Sequence, residues 1–395
     1  MKHRSTAVFA PPSPSRRRFL ALAGAAGALG LGGSLPPARA ADGLTLTLAD
    51  IGVGDPNGNW SAFESATDFG VNVVSMGNGP AAVLNQLIAG GGRQSFDVIN
   101  IVGGMQKPLV DNGLILPIDI EKMPHWAAND YIQTYLAPGT PGFDFIGYRD
   151  RVYGVPTVLQ GDSFAYLPEI TGELDSYAAL FDPKFKGYVA LEDNYTTAGQ
   201  KTALYLKSAG LATIADPADM TPSELATVMD FLIEQKRAGQ FRVIWSSFEQ
   251  AVNLLVNREV HVMDCWEPMV FVAVERGVAA RYAAPKEGYL LWAMAAHVVA
   301  NDPDAERLAA RYALLDYMLG PAYGAAITGL RGYMTNPGAP AFAAADDAYD
   351  TAAAERIAAI DAGVKAKFRA GGTWQNRWPT HVEAYEEEWQ RFKAA

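Results

Sequence analysis

The sequence predicts an α/β protein in which short strands alternate with helices. Residues 44–49 alternate apolar and polar side chains, which is typical of a half-buried strand. Residues 96–102 form a nearly continuous apolar run, as in a fully buried strand, and the apolar side chains of 80–89 have helical spacing. This order predicts a parallel sheet with helices on both faces, and 395 residues are enough for two domains.

Turn formers, helical spacing and apolar runs indicate the other elements in order. A loop of turn formers at 52–58 precedes a helix that begins near Trp60. Further strands are expected at residues 71–76, 148–158, 188–191, 260–263 and 290–299. Further helices are expected at residues 80–89, 106–112, 200–209, 222–238, 247–257, 305–319, 352–368 and 381–392.

The first forty residues have the three-part layout of a secretory signal. Three arginines, Arg16 to Arg18, precede an apolar run and an A-x-A pattern that ends at Ala40, where we expect cleavage. The paired arginines resemble a twin-arginine export signal. The alternative is a retained anchor, but the run has about 13 residues, whereas about 20 are needed to span a bilayer. No cysteine lies directly after the apolar run, which argues against a lipoprotein anchor. We expect a soluble periplasmic protein.

Charge and reactive residues exclude several classes of protein. The 355 residues after position 40 carry 26 basic and 43 acidic side chains, a net charge of −17. So acidic a body argues against nucleic acid or an anionic membrane as the main partner. The single cysteine, Cys265, allows no intrachain disulfide, and the five histidines lack metal-ligand spacing. We therefore expect neither a metal nor another cofactor.

Motifs of common catalytic sites are missing. The sequence has no phosphate-binding G-x-x-x-x-G-K-[ST] loop, no H-E-x-x-H pair and no G-x-S-x-G turn. Aromatic residues are more informative, because Trp266 and Trp292 stand at or beside predicted strand ends. Such rings either fill a core or form the walls of a ligand site. These observations favour a binding protein over an enzyme.

Six segments, in order along the chain, resemble the putrescine/spermidine-binding type of periplasmic solute-binding proteins of ABC importers. The most specific are Pro-Lys-Glu-Gly followed by Trp292, and Trp374-Gln375-Asn376. The others are F-D-V-I at 96–99 with L-I-L-P-I-D at 114–119, Y-G-V-P at 153–156, M-D-C-W at 263–266 and G-Y-M-T-N-P at 332–337.

The resemblance implies the type II fold of periplasmic binding proteins. Two Rossmann-like lobes joined by a hinge would hold the ligand between them and close by hinge motion. The expected lobes are 44–156 plus 292–338, and 157–291 plus 339–395. It also implies a monomer that binds a small molecule and delivers it to a membrane ABC permease.

The resemblance also implies site residues. Trp266 and Trp292 correspond to tryptophans that form the walls of a polyamine pocket, where aromatic faces attract ammonium groups. Gln375 corresponds to a polar pocket residue, and Asp193 to an acidic amine binder. Trp60 and the 52–58 loop follow the first strand, which makes them candidates for the cleft.

Several acids expected in a polyamine pocket are absent. Their places are taken by Thr196, Met294 and Arg377, and two other pocket positions carry Val102 and Gly104. A buried ammonium group without a carboxylate partner is costly.

Glu267, Asp162 and Asp264 are candidate substitutes for the missing acids. Arg377 and Arg331 are instead candidates to bind a carboxylate or phosphate. Each of these charges has the alternative of an ordinary salt bridge.

We therefore expect a receptor for a small amine-containing or zwitterionic solute. The alternatives are a receptor for a carboxylate or aromatic solute and, from a different class, a periplasmic enzyme on the same scaffold.

Overall fold

The computed structural model describes residues 43–77, 80–375 and 378–395. The predicted export signal and Arg377 lie outside these ranges. Among the described residues, no helix has the length and apolar character needed to cross a membrane. The strands, in chain order, are β1 Thr45–Asp50, β2 Gly70–Ser75, β3 Val98–Val102, β4 Gly147–Tyr148, β5 Arg151–Val152, β6 Gly154–Tyr166, β7 Val189–Glu192, β8 Phe241–Trp245, β9 Val262–Cys265, β10 Arg281–Tyr282, β11 Tyr289–Val298 and β12 Gly372–Trp374.

The main sheet has the strand order β2-β1-β3-β11-β6-β9-β7-β8. Strands β2, β1 and β3 are parallel, and so are β9, β7 and β8. The long strands β6 and β11 pair antiparallel with each other and with the strands on either side of them. The parallel sheet predicted from the first strands is present in β2, β1 and β3, whereas the antiparallel pairing of β6 and β11 was not predicted. Two parallel sets flank an antiparallel pair of buried strands, β6 and β11.

Helices surround this sheet. In chain order they are α1 Ser61–Thr67, α2 Pro80–Ile88, α3 Gly92–Ser95, α4 Gln106–Asp111, α5 Pro124–Ala128, α6 Pro168–Thr171, α7 Gln200–Ser208, α8 Pro222–Arg237, α9 Phe248–Val256, α10 Glu267–Glu275, α11 Ala305–Leu319, α12 Pro321–Arg331, α13 Ala339–Ala345, α14 Thr351–Ala370 and α15 Val382–Ala394. Short 3-10 and π turns occupy some of the connections.

Separate hydrophobic cores flank the two parallel sets of strands. We call the part built around β1–β3 the first half and the part built around β7–β9 the second half. The first half is packed by α11 and α12, and α14 adds Val364 and Phe368 to the same core. The second half is packed by α7, α8 and the C-terminal α15. The helices of the predicted lobe segment 339–395 are thus divided between the two cores.

The predicted elements are present, most with ends shifted by a few residues, and the predicted strand 148–158 corresponds to β4, β5 and the first part of β6. Among the described residues, nine further elements were missed: β8, β10, β12, α3, α5, α6, α10, α12 and α13. Helix α10 is rich in valine and other apolar residues and shows no amphipathic stripe, so helical periodicity did not reveal it. Helix α12 contains Gly324, where a Cβ would lie 2.6 Å from Thr335 Oγ1, so glycine permits this close packing.

Candidate functional site: a cleft at the strand ends

The carboxyl ends of strands from both halves border one cavity of about 440 Å³, which we call the cleft. Ile51 to Val53 follow β1, and Val102 ends β3. On the other side, Glu192 ends β7 and Trp266 follows β9. Ligands of open α/β sheets bind outside the carboxyl ends of the strands, so this position is that of a ligand site.

Aromatic rings form much of the cleft surface. Trp292 on β11 is 5% exposed, and its ring meets that of Tyr333 in a T-shaped contact with centroids 5.4 Å apart. Trp266 makes a T-shaped contact with Trp245, at 5.6 Å, which fixes its ring at the end of β9. Burial raises the pKa of Tyr333, so its phenol stays neutral. The cleft therefore offers neutral aromatic surfaces in fixed orientations.

Glu192 is the acidic group of the cleft on the side of the second half. Its Oε2 accepts a hydrogen bond from Trp266 Nε1 at 3.1 Å, and Oε1 accepts one from Asn194 Nδ2 at 3.4 Å. Its backbone N–H donates to Asp264 Oδ2 at 3.2 Å. The carboxylate is thus held against an indole that itself borders the cleft.

A buried ion pair lies behind Glu192. Lys201 Nζ contacts Asp264 Oδ1, and neither side chain is exposed to solvent. Lys201 also donates to the carbonyl oxygen of Ser163 at 2.7 Å. Burial acts to lower the pKa of Lys201, but attraction to the carboxylates of Asp264 and Asp162 outweighs it and the pKa is raised. The lysine is therefore charged, and the pair supports the end of β7.

A different network fixes the cleft loop of the first half. Asp50 at the end of β1 accepts hydrogen bonds from the backbone N–H of Gly52 at 2.7 Å, from that of Gly54 at 3.1 Å and from Asn100 Nδ2 at 2.6 Å. A Cβ at Gly54 would lie 2.0 Å from Asn100 Nδ2, so only glycine fits there. Burial raises the pKa of Asp50, although these hydrogen bonds oppose the shift.

Arg331 is the basic group on this side. It ends α12, and its Nη2 donates to the backbone oxygen of Asp55 and to Asn57 Oδ1, both at 3.1 Å. The guanidinium group therefore ties the loop after β1 to α12 while it borders the cleft. An acid from the second half and a base from the first half thus border the same cavity.

A family model described as bacterial extracellular solute-binding protein matches residues 60–357. The chain belongs to this family. No curated protein sequence matches it. Among the described residues, no group of three or more His, Cys, Asp or Glu side chains is arranged to hold a metal ion.

Three solved structures resemble this solute-binding protein. A putative spermidine/putrescine ABC transporter from Listeria monocytogenes is 19% identical, with a TM-score of 0.67 over 88% of this chain and 98% of that one. The PBP MotA from A. tumefaciens B6, in complex with glucopine, is 18% identical, with a TM-score of 0.65 over 89% and 100%. A GABA receptor is 16% identical, with a TM-score of 0.63 over 88% and 97%. The fold is that of type II periplasmic binding proteins, as expected.

The structure brings some of the predicted site residues together at the cleft. Trp266, Trp292 and Arg331 border it, as do Val102 and Met294, which occupy positions where the resemblance led us to expect polar groups. Of the 52–58 loop, Gly52 and Val53 border the cleft.

Two predicted residues lie elsewhere. Asp193 is turned away from the cleft, where its carboxylate accepts hydrogen bonds from Trp389 Nε1 at 2.8 Å and Lys393 Nζ at 3.3 Å. Trp60 is 2% exposed and packs in the core, with its ring stacked on Tyr323 at 6.2 Å. Its Nε1 donates to Asp55 Oδ1 at 3.1 Å, so Trp60 stabilises the 52–58 loop from the side of the core.

The remaining predicted residues also lie outside the cleft lining. Asp162 is fully buried within β6, and Gln375 is fully buried, with Nε2 donating to the carbonyl oxygen of Thr196. Glu267 forms an ion pair with Lys367 at 2.6 Å and borders a neighbouring groove between α10 and α14.

Sequence reasoning missed Glu192, Asn194, Phe271 and Arg356, which border the cleft. Glu192 was detectable in principle. The end of strand 188–191 was predicted, and side chains on a strand point alternately to opposite faces. That alternation separates the two neighbouring acids Glu192 and Asp193, but only the position of the partner elements decides which one faces the cleft.

Proposed function

We propose that this protein is the exported solute receptor of an ABC importer. It captures a small amine-containing or zwitterionic organic solute in the cleft and delivers it to a membrane permease, without chemical change to the solute. The observation that carries the proposal is the cleft itself. It lies at the carboxyl ends of two sets of parallel strands and is bordered by Glu192, Trp266, Trp292 and Arg331.

Capture would proceed by hinge closure. The halves are connected through β6 and β11, which pair with each other over most of their length, so bending of these strands would move one half against the other. The moving bodies in this proposal follow the predicted lobes, 44–156 plus 292–338 and 157–291 plus 339–395, except that α14, which packs into the core of the first half, moves with that half.

The lining favours a ligand with a positive end. Aromatic faces attract ammonium groups, by about 0.5–2 kcal/mol for each contact. Trp266, Trp292 and Tyr333 supply such faces, and Glu192 supplies a carboxylate beside Trp266. The neighbouring structures named for spermidine/putrescine, glucopine and GABA support a nitrogen-containing solute.

Export would place the receptor in the periplasm. The proposal includes a twin-arginine signal that is cleaved near Ala40, and a monomeric mature protein. The net negative charge of the residues after position 40 argues against nucleic acid as the partner.

Thermal unfolding of the purified exported protein tests the proposal. The panel consists of diamines, spermidine, betaines, amino acids and small carboxylates. A ligand at 100 times its Kd stabilises the fold by about 2.7 kcal/mol, which raises Tm measurably. We expect one amine-containing or zwitterionic class to raise Tm. If only carboxylates without an amine do so, or no compound does, the proposed ligand class is wrong.

Two neighbouring acids provide a matched pair of variants. Glu192→Gln removes the charge that faces the cleft and should weaken binding of the stabilising ligand about tenfold or more. Asp193→Asn changes the adjacent acid, which faces Trp389, and should leave the affinity unchanged. Equal effects of the two changes would contradict the assignment of Glu192 to the site.

A further inference from the structure

Two nitrogen donors at the cleft have no hydrogen-bond partner in the part of the chain that the structure describes. They are Nε1 of Trp292 and Nε of Arg331, and both atoms are buried. Trp292 is 5% exposed, so its indole N–H is also withdrawn from bulk water. A buried donor that stays unpaired costs free energy, and such exceptions in native proteins call for a physical explanation.

The two donors belong to the same cavity. Trp292 and Arg331 both border the cleft, and Tyr333, two residues after Arg331, packs its ring against Trp292. Arg331 is held in place because its Nη2 already donates to Asp55 and Asn57 of the loop. The hydrogen bonds to the loop fix the orientation of the Arg331 side chain, and its Nε remains without a hydrogen-bond partner among the described residues.

The second cleft tryptophan differs in this respect. The N–H of Trp266 donates to Glu192, at 3.1 Å, so its hydrogen bond is made within the protein. The indole N–H of Trp266 is therefore hydrogen-bonded to Glu192. The indole N–H of Trp292, which borders the cleft together with Arg331, has no partner among the described residues. That asymmetry sets the chemistry expected of each end of the ligand.

Indole and guanidinium nitrogens donate hydrogen bonds and accept none. From the two unpaired donors we infer that the ligand carries an acceptor oxygen, in the form of a carboxylate, at the end that lies against Trp292 and Arg331. This inference rests on the proposed function and narrows its ligand class to aminocarboxylates. Its ammonium end would lie toward Glu192 and Trp266.

A polyamine cannot accept a hydrogen bond from either of these two donors. Protonated amines only donate hydrogen bonds, and an ammonium group would also meet the positive charge of Arg331. A carboxylate accepts from both donors and pairs with the guanidinium charge, which gives charge-assisted hydrogen bonds. The same cleft that resembles a polyamine site is thus expected to reject the diamine analogue of its ligand.

Isothermal titration calorimetry on the purified exported protein tests the inference with matched ligands. One series consists of unbranched ω-aminocarboxylates with three to six carbons, and the other of the diamines of the same lengths. We expect the best aminocarboxylate to bind at least tenfold more tightly than the diamine of its length. A diamine that binds as tightly as its aminocarboxylate overturns the inference and leaves the proposed receptor function standing. Failure of both series to bind overturns the inference, and the betaines, amino acids and spermidine of the thermal unfolding panel then decide whether the proposed ligand class also fails.

The variant Trp292→Phe removes the N–H and keeps an aromatic ring. It should weaken binding of the aminocarboxylate about tenfold more than binding of the diamine, so that the ratio of the two affinities falls. The matched control is Trp266→Phe, which should leave the ratio of the two affinities as it is. Arg331→Lys keeps the positive charge but removes Nε, and it should also weaken aminocarboxylate binding selectively. If neither Trp292→Phe nor Arg331→Lys changes the ratio, the carboxylate end does not lie at these donors.

Discussion

The two sides of the cleft are supported by buried polar groups of different kinds. Behind the first half, the Asp50 carboxylate is held by neutral donors, from two glycine N–H groups and Asn100. Behind the second half, Asp264 is held by the charged Lys201 in a fully buried ion pair. Loss of one neutral donor lowers the unfolding free energy only modestly. Loss of one partner of a buried ion pair leaves an isolated buried charge, which costs much more. Loss of Lys201 behind the second half should therefore cost more unfolding free energy than loss of one donor to Asp50 behind the first.

The largest effect is expected from Lys201→Met. This change leaves the buried Asp264 without its counter-charge, and removal of one partner from a buried pair typically costs about 3–5 kcal/mol of unfolding free energy. Urea unfolding followed by circular dichroism measures the change. The double variant Lys201→Met/Asp264→Asn should recover part of the loss. A single variant within 1 kcal/mol of the native protein would show that the pair does not support this half.

An acid-sensitive group in the first half should have the next largest effect. His297 on β11 is fully buried, its Nδ1 lies 2.9 Å from the carbonyl oxygen of Tyr153, and burial lowers its pKa from 6.5 to about 4. The unfolded chain binds a proton below pH 6.5 that the folded protein does not accept until about pH 4. Stability from this group is therefore full above pH 6.5 and is lost as the pH falls toward 4.

Between pH 7 and 5 this group should lower the unfolding free energy by about 2 kcal/mol. Urea unfolding at the two pH values measures the loss, and the variant His297→Gln should show a smaller one. An unfolding free energy that changes equally with pH in both proteins would contradict the role of His297.

A smaller effect is expected from Asp50→Asn. One carboxylate oxygen is replaced by an NH₂ group, which cannot accept from Gly52 or Asn100, so a buried donor loses its partner at a cost of about 1–2 kcal/mol. Because the loop borders the cleft, ligand affinity should also fall. Asp68→Asn, at an exposed helix end, is the matched control and should change neither quantity. Unchanged stability and affinity in Asp50→Asn would show that the network does not position the loop.

The smallest effect is expected from Arg356→Gln. Arg356 pairs with Glu275 at 3.4 Å, but both side chains are about half exposed, at 51% and 57%. Exposed ion pairs contribute about 0–1 kcal/mol, so Tm should hardly move. A large loss of Tm would show that this pair joins α10 and α14 more strongly than its exposure indicates.

Local patterns in the sequence were enough to predict most of the fold. Apolar runs and alternation predicted β1 to β3 of the first half and β7 and β9 of the second, but not β8. Strand β11 is buried along its whole length, as its apolar run indicated. The antiparallel centre of the sheet was not predicted, because strand direction depends on which distant strands pair. Helix α10 was missed because its apolar residues surround the helix instead of forming one stripe.

The site was predicted in part: Trp266, Trp292 and Arg331 border the cleft, whereas Asp193, Trp60 and Glu267 lie outside its lining. Trp266 and Trp292 were assigned to the cleft because the resemblance aligns them with pocket tryptophans, and their positions near predicted strand ends agreed with that assignment. Asp193 was chosen in place of Glu192, since neighbouring side chains of a strand end face opposite sides and sequence alone does not say which side holds the cavity. Glu267 was assigned to the ligand, but its partner Lys367 lies a hundred residues away, and such pairing becomes visible only in the folded chain.

A crystal structure of the protein with the tightest-binding compound of the titration series tests the central claim most directly. The account predicts that the compound lies in the cleft between Trp266 and Trp292, with a carboxylate oxygen within hydrogen-bond distance of Trp292 Nε1 and an ammonium group on the side of Glu192. A compound bound in the reverse orientation, or in the groove between α10 and α14, would contradict it.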